Sequence, residues 1–395
     1  MPIGSGIAGQ IGYALEVTAG LAVTPTQFVP LVNEKLEQKR GRVESEGIIA
    51  GRRVLDASMW NGGNVEVGGD VGHELYNRGL GKLFTGMFGT VTSTTGPVSL
   101  LYTHTWSAVG EPRPLTVQKG VPGVAGVVHP MTYAGMMVEE WEIACKAGEI
   151  VTLGVTFAGM TETGHRTVSD GVTTSGSPTV TSATAAFGPD DLFKPISGTG
   201  IPALTYVGVV NSATSVGLSS SNTVNTPVNA SATGASIVFT IGIPLAAASF
   251  PSTPSLSPFK YTHGSITFGG SLLPVKELKL AGKNGLDMDR FFIGSRTRSQ
   301  PLEADLHELT GQLEIEFTDR AMYNRFISEG TYSLVTRFQN AATESVTFTQ
   351  TVRVDGDSPR LAGRGIVPQS VPVKCTGATD AAAFSVVVVS ADVTP

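Results

Sequence analysis

The feature that most constrains this chain is that it contains the same stretch twice. FVPLVNEKLEQKRG (28–41) falls on LLPVKELKLAGKNG (272–285) at a fixed offset. Pro30 meets Pro274, Lys35 and Leu36 meet Lys279 and Leu280, and Lys39 and Gly41 meet Lys283 and Gly285. Further on, Ile49 meets Ile293 and Arg52 meets Arg296. After a shift of a few residues, GNVEVGGDVGHELYNR (63–78) matches GQLEIEFTDRAMYNR (311–325), so that Glu66 meets Glu314 and Tyr76-Asn77-Arg78 meets Tyr323-Asn324-Arg325. Matches in one order at nearly one offset point to a tandem duplication. Convergent strand patterning accounts for alternation but not for the tripeptide.

Each copy reads as β structure with one short helix. Strand patterns cover roughly 28–39, 64–70, 133–146 and 149–158, then 261–281, 311–318, 331–339, 345–354, 370–376 and 383–390. Leu75, Leu80, Leu83 and Phe84 stand near helical spacing with Asp70 as a cap, and Thr318 or Asp319 caps a helix through Tyr323, Phe326 and Ile327. The halves close with WEIACKAGEIVTLGVTF (141–157) and VPVKCTGATDAAAFSVVVV (371–389), each read as a hairpin with its cysteine before the turn. Between the copies, 166–243 is nearly free of charge and rich in Ser, Thr, Gly and Val. Its apolar residues recur at short-strand spacing, which predicts a small inserted β-domain rather than disorder. The Pro-rich stretch 244–258 reads as a linker. The expected division is therefore 1–165, 166–243 and 244–395, with a mainly β fold of two β-sandwich or open-barrel domains plus the insertion.

Composition excludes several function classes. A net charge of −6 does not suit a surface built to neutralise phosphates. The first residues lack a cationic n-region and a long apolar core, and no apolar run approaches a membrane span, so membrane insertion is not expected. GSGIAG (Gly4 to Gly9) has the letters of a dinucleotide fingerprint but no strand leading into it, and Ile11 onward reads as an extended arm. His73, His104, His129, His165, His263 and His307 are scattered without metal-ligand spacing, and no GxSxG elbow is present. Cys145 and Cys375 read as structural thiols in matching places of separate cores. No enzyme active site, metal or cofactor is expected.

The informative polar residues lie on strand faces, since side chains alternate across a sheet. Leu313, Ile315 and Phe317 oppose Gln312, Glu314 and Glu316. Val65 and Val67 oppose Glu66, and Trp141, Ile143 and Cys145 oppose Glu140 and Glu142. An ordinary solvated sheet face would look the same.

The chain resembles the tail tube (major tail) proteins of long-tailed, siphovirus-type bacteriophages, particularly those infecting actinobacteria. The resemblance is carried by GYALEVTAGLAVTPTQFVPLVNEKLEQKRGRVESEGIIAGRR in copy one. In copy two it is carried by PVKELKLAGKNGLDMDRFFIGSR and TGQLEIEFTDRAMYNRFISEG. It implies a structural virion protein, assembled in the host cytoplasm, whose subunits form stacked rings around the channel for genome ejection. Glu66, Glu140, Glu142, Gln312, Glu314 and Glu316 would face that channel, letting DNA pass without specific binding. Lys35 and Lys279 are left unassigned. The segment 39–53, with Arg40, Arg42, Glu44, Glu46, Arg52 and Arg53, would be a loop reaching the adjacent ring. The implied partners are the chain itself, as three copies with pseudo-sixfold symmetry, and the tape measure, tail terminator and tail tip proteins. An all-β virion-surface adhesin or carbohydrate-binding protein is the alternative.

Overall fold

Strand pairing, not letter identity, defines what has been duplicated. The computed structural model describes residues 4–95, 101–107, 110–222, 224–252, 255–340, 343–356 and 365–395. Copy one contains β1 (Gln10–Leu15), β2 (Gln27–Phe28), β3 (Glu37–Glu44), β4 (Trp60–Glu74) and α1 (Gly81–Phe88). It continues with β5 (Val91–Thr95), β6 (Tyr102–Ser107), β7 (Leu115–Pro122), β8 (Val128–Lys146), β9 (Thr152–Gly159) and β10 (Thr161–Gly164). Copy two contains β11 (Gly264–Phe268), β12 (Ser271–Leu272), β13 (Glu277–Lys283), β14 (Glu308–Glu316) and α2 (Ala321–Ile327). Its remaining strands are β15 (Thr331–Gln339), β16 (Ser345–Val354), β17 (Pro368–Cys375) and β18 (Phe384–Ser390).

Among these strands, each pairing within copy two has a partner in copy one, all antiparallel. β1·β2 and β1·β7 correspond to β11·β12 and β11·β15. β3·β4 and β4·β9 correspond to β13·β14 and β14·β17. β7·β8, β8·β9 and β8·β10 correspond to β15·β16, β16·β17 and β16·β18. Copy one adds the β5·β6 hairpin.

This correspondence corrects three expectations. The second closing hairpin does not exist: β17 pairs with β14 and with the end of β16, whereas β18 pairs with β16 and β6. β17 is thus the counterpart of β9, so Cys145 on β8 and Cys375 on β17 are not in matching places. The Tyr-Asn-Arg triplets are not equivalent either, because 76–78 precedes α1 while 323–325 lies inside α2. The matched lysines locate the true register, since Lys39 faces Glu66 and Lys283 faces Glu308. Asp70 lies within β4 and caps nothing; Asp319, by contrast, accepts from the Ala321 amide at 2.7 Å as α2 begins.

The copies are joined at two seams, β8·β13 and β6·β18. Their cores merge, contrary to the expectation of separate ones. Phe88 packs on Trp141 at 5.3 Å and on Phe384 at 5.4 Å, within one continuous apolar cluster. Asn284, almost wholly buried, donates to the carbonyls of Met87 and Val138 across the junction. β8 serves both layers, pairing with β7 early and with β9 late, and turns at Gly135, whose φ of 64° favours glycine.

The N-terminal segment is no arm. β1 is a core strand with Ile11 and Tyr13 buried, and Tyr13 is hydrogen-bonded to His73 at 2.6 Å. Nor are residues 244–252 of the expected linker loose: Gln118 bonds the Pro244 carbonyl and the Ala246 amide, and Phe250 packs edge-on against Phe28. Strands from Arg166 to Ile241 form a separate six-stranded sheet with its own apolar core around Phe187 and Phe239.

A concave charged sheet face as the candidate functional site

The β8·β13 seam makes one antiparallel sheet in the order β3-β4-β9-β8-β13-β14-β17. One side of it is core, supplied by Val65, Val67, Val71, Trp141, Ile143, Leu278, Leu280, Leu313 and Ile315. The alternating residues all project from the other side. The structure therefore brings Glu66, Glu140, Glu142, Gln312, Glu314 and Glu316 onto a single solvent-facing surface that crosses both copies. Glu66, Glu142, Gln312 and Glu316 are exposed, and Glu140 and Glu314 are half-buried.

The cross-strand rows fix the surroundings of each residue. Glu140 stands between Thr156 and Lys283, and Glu142 between Gly154 and Ala281. Gln312 lies between Lys279 and Pro372, and Glu314 between Glu277 and Ser370. Glu66 faces Lys39, and Glu316 faces Pro368. The surface is concave, holding a cavity of about 550 Å³ whose floor includes Gly72, Gly154 and Ala281 and whose sides include Asp70, Glu140, Glu142 and Glu308. Small residues at the centre leave the Glu142 carboxylate unshielded by its neighbours.

The face is mixed in sign rather than purely acidic. Lys39 pairs with Glu37 at 2.9 Å, Lys276 with Glu316 at 2.6 Å, Lys374 with Glu308 at 3.0 Å, and Lys283 with Glu140. The glutamate beside each holds the Lys39 and Lys283 ammonium groups above their usual pKa. Such exposed pairs add little stability. They cancel charge locally; Glu66 faces Lys39 and Glu277 faces Lys146, whereas Glu142 and Glu314 have no lysine opposite them. Glu277 and Glu314 oppose one another directly, an arrangement that costs stability in a sheet. Lys279 stands on this same face, and Lys35, whose amide bonds the Asp70 carbonyl, precedes it on the β3 side.

Asp70, Glu277 and Glu308 belong to the face although sequence reading passed over them. The alternation in GDVGHE (69–74) was the available signal, masked by its glycines. On the opposite rim, Arg40, Arg42 and Glu44 belong to β3 and not to a loop; Arg42 lies 5.7 Å over the Trp60 ring. Glu46, Arg52 and Arg53 lie in the connection that follows, where Arg52 pairs with Asp56.

Among the described residues, no group of three or more His, Cys, Asp and Glu could hold a metal ion, and no helix is long and apolar enough to cross a membrane. Tandem folds spliced edge to edge over one core define a β-structural protein that repeats its unit within the chain. The phage tail tube protein family model matches it twice, over residues 6–243 and 204–375, and the chain belongs to that family. It is a structural protein of the virion tail that self-assembles into a tube. No curated protein matches it.

Proposed function

We propose that three chains close into a ring of six tube folds, and that stacked rings form the channel through which the genome leaves the capsid. The concave face, with Glu66, Glu140, Glu142, Gln312, Glu314 and Glu316, lines that channel. The observation carrying this reading is the β8·β13 seam, where copy two continues the sheet of copy one by seven paired residues. β13 is the counterpart of β3, and β3 stands at the end of the sheet with its outer edge open to another strand. Repeating the internal junction between chains uses that edge and turns a curved sheet into a closed barrel. A head-to-tail contact of this kind closes when the rotation divides the circle.

DNA then passes without specific binding. Phosphate contacts by lysine hold nucleic acid through counterion release; here four lysines are occupied by glutamates and further carboxylates remain. The tip of the 45–59 connection, with Glu46 and the exposed Ile48, reaches the adjacent ring. The 166–243 domain projects outward, flanked by tube folds at 1–165 and 244–395. Ends of the tube meet the tail terminator and tail tip proteins, and the lumen holds the tape measure protein during assembly in the host cytoplasm. Negative-stain microscopy of the purified chain tests the reading: hollow rings or tubes are expected, and particles that never exceed a monomer would refute it.

A further inference from the structure

Within one chain, a loop of copy two clasps copy one. Residues 296–300 follow the extension of β13 and fold back onto β4. The Val65 amide donates to the Arg296 carbonyl at 2.7 Å, and Arg296 Nε donates to the Gly63 carbonyl at 3.1 Å. Val65 and Thr297 form a parallel bridge, and a Cβ at Gly62 would overlap the Arg296 guanidinium. Next along, Arg298 is buried to 7% exposure beside Glu139 of copy one.

Copy one carries the same loop with nothing to clasp. Arg52 is the counterpart of Arg296 in the sequence match; Arg52 closes a turn onto the Ile49 carbonyl, and Arg296 comes one residue after a similar turn in which the Ser295 amide bonds the Phe292 carbonyl. Val54, the counterpart of Arg298, is 80% exposed, and Leu55 beside it is 43% exposed. The surface that would receive this loop is the start of β14, where His307 is the counterpart of Val65. Its charge is complementary to the loop's: Glu303 pairs with His307 at 2.6 Å and Asp305 lies between them in sequence, while the loop carries Arg52 and Arg53.

We propose that residues 52–54 of one chain dock on residues 303–307 of a neighbouring chain in the same ring, repeating between chains the clasp that Arg296 makes within one. The partner is a second copy of this chain. The inference rests on the ring reading above, and it gives the base of the loop a lateral role distinct from its tip. By the internal template, Arg53 stands opposite His307 as Thr297 stands opposite Val65, within the Cα separation a disulfide can span.

The test is oxidation of assembled Arg53→Cys/His307→Cys protein, with Val65→Cys/Thr297→Cys as the template control and each single variant as a blank. The control should close within the chain, losing two hydrogens without joining one chain to another. The test pair should give cross-linked species that stop at the number of chains in one ring. Rings that form without cross-links while the control closes would overturn the proposal, as would cross-linked ladders that grow past one ring. Ring size is read separately by microscopy, so six chains per ring with the cross-link present would reject the trimer and keep the clasp. If the double variant does not assemble, hydrogen exchange on the unmodified protein decides: the His307 amide should become at least tenfold slower in exchange on assembly, and an unchanged rate would overturn the proposal.

Discussion

Gly282→Ala should weaken the whole tube fold through one methyl group. Gly282 faces Trp141 across the β8·β13 seam, and a Cβ there would overlap the indole. The ring cannot retreat, because Phe88 of copy one and Phe384 of copy two flank it at 5.3 and 6.0 Å. Overpacking of this sort costs about 1–3 kcal/mol. Replacing glycine lowers the entropy of the unfolded chain and returns about 0.4–1 kcal/mol. The expected net loss is about 1–2 kcal/mol, read as a lower urea midpoint. Tryptophan fluorescence is the appropriate signal, since Trp60, Trp106 and Trp141 all lie outside the inserted domain. Trp141→Phe should itself be destabilising yet should make room for the methyl, so that Gly282→Ala costs little in its presence. An unchanged or raised midpoint for Gly282→Ala, or full additivity in the double variant, would refute the account of the seam.

Burial pushes the Glu16 carboxyl up to about 7, although it accepts hydrogen bonds from Gly20, Gly135 and Thr116. The folded chain keeps this proton after the unfolded one has lost it, so its contribution is full below about pH 4.5 and is lost as pH rises towards 7. Glu16→Gln should remove up to about 3 kcal/mol of that pH dependence, measured by urea unfolding at pH 5 and 7.5. Cys145 and Cys375 should resist thiol reagents until the protein is denatured, because burial raises both thiols, Cys375 to about 11. They lie three strands apart, about 14 Å across the sheet, and are offset by four residues along it, so they should not form a disulfide on oxidation. Deleting the insertion by joining residue 166 to residue 244 should leave assembly intact, since its entry at Gly164 and exit at Gly242 touch; soluble, folded protein that no longer forms tubes would contradict this. Glu142→Lys/Glu314→Lys should assemble normally but retain DNA during ejection, with retention falling as salt is raised.

Much of the fold was legible because alternation is a local property. Residues 331–339 and 345–354 read as strands and are strands with those bounds, their β-branched residues alternating between core and surface. Partners are not local, and errors followed from that. The two cysteine-bearing strands look alike in sequence, yet one pairs as β8 and the other as β17. Tyr-Asn-Arg recurs without structural equivalence: Asn77 is buried and donates to Glu344 at 2.6 Å, whereas Asn324 sits within α2. β1 reads as an extended arm because its longest partner in the sheet, β7, is not legible as a strand in the sequence. At the candidate site, the face of each glutamate is readable from strand period, but the lysines paired with Glu140 and Glu316 come from β13 and the residue before it, far away in sequence, and Lys283 reaches Glu140 only across the seam.

Electron cryomicroscopy of the assembled tube tests the central claim most directly. The account predicts three chains per ring, six tube folds around the axis, and Glu142 and Glu314 pointing into the lumen. Six chains per ring, or a concave face turned outward or buried between subunits, would contradict it.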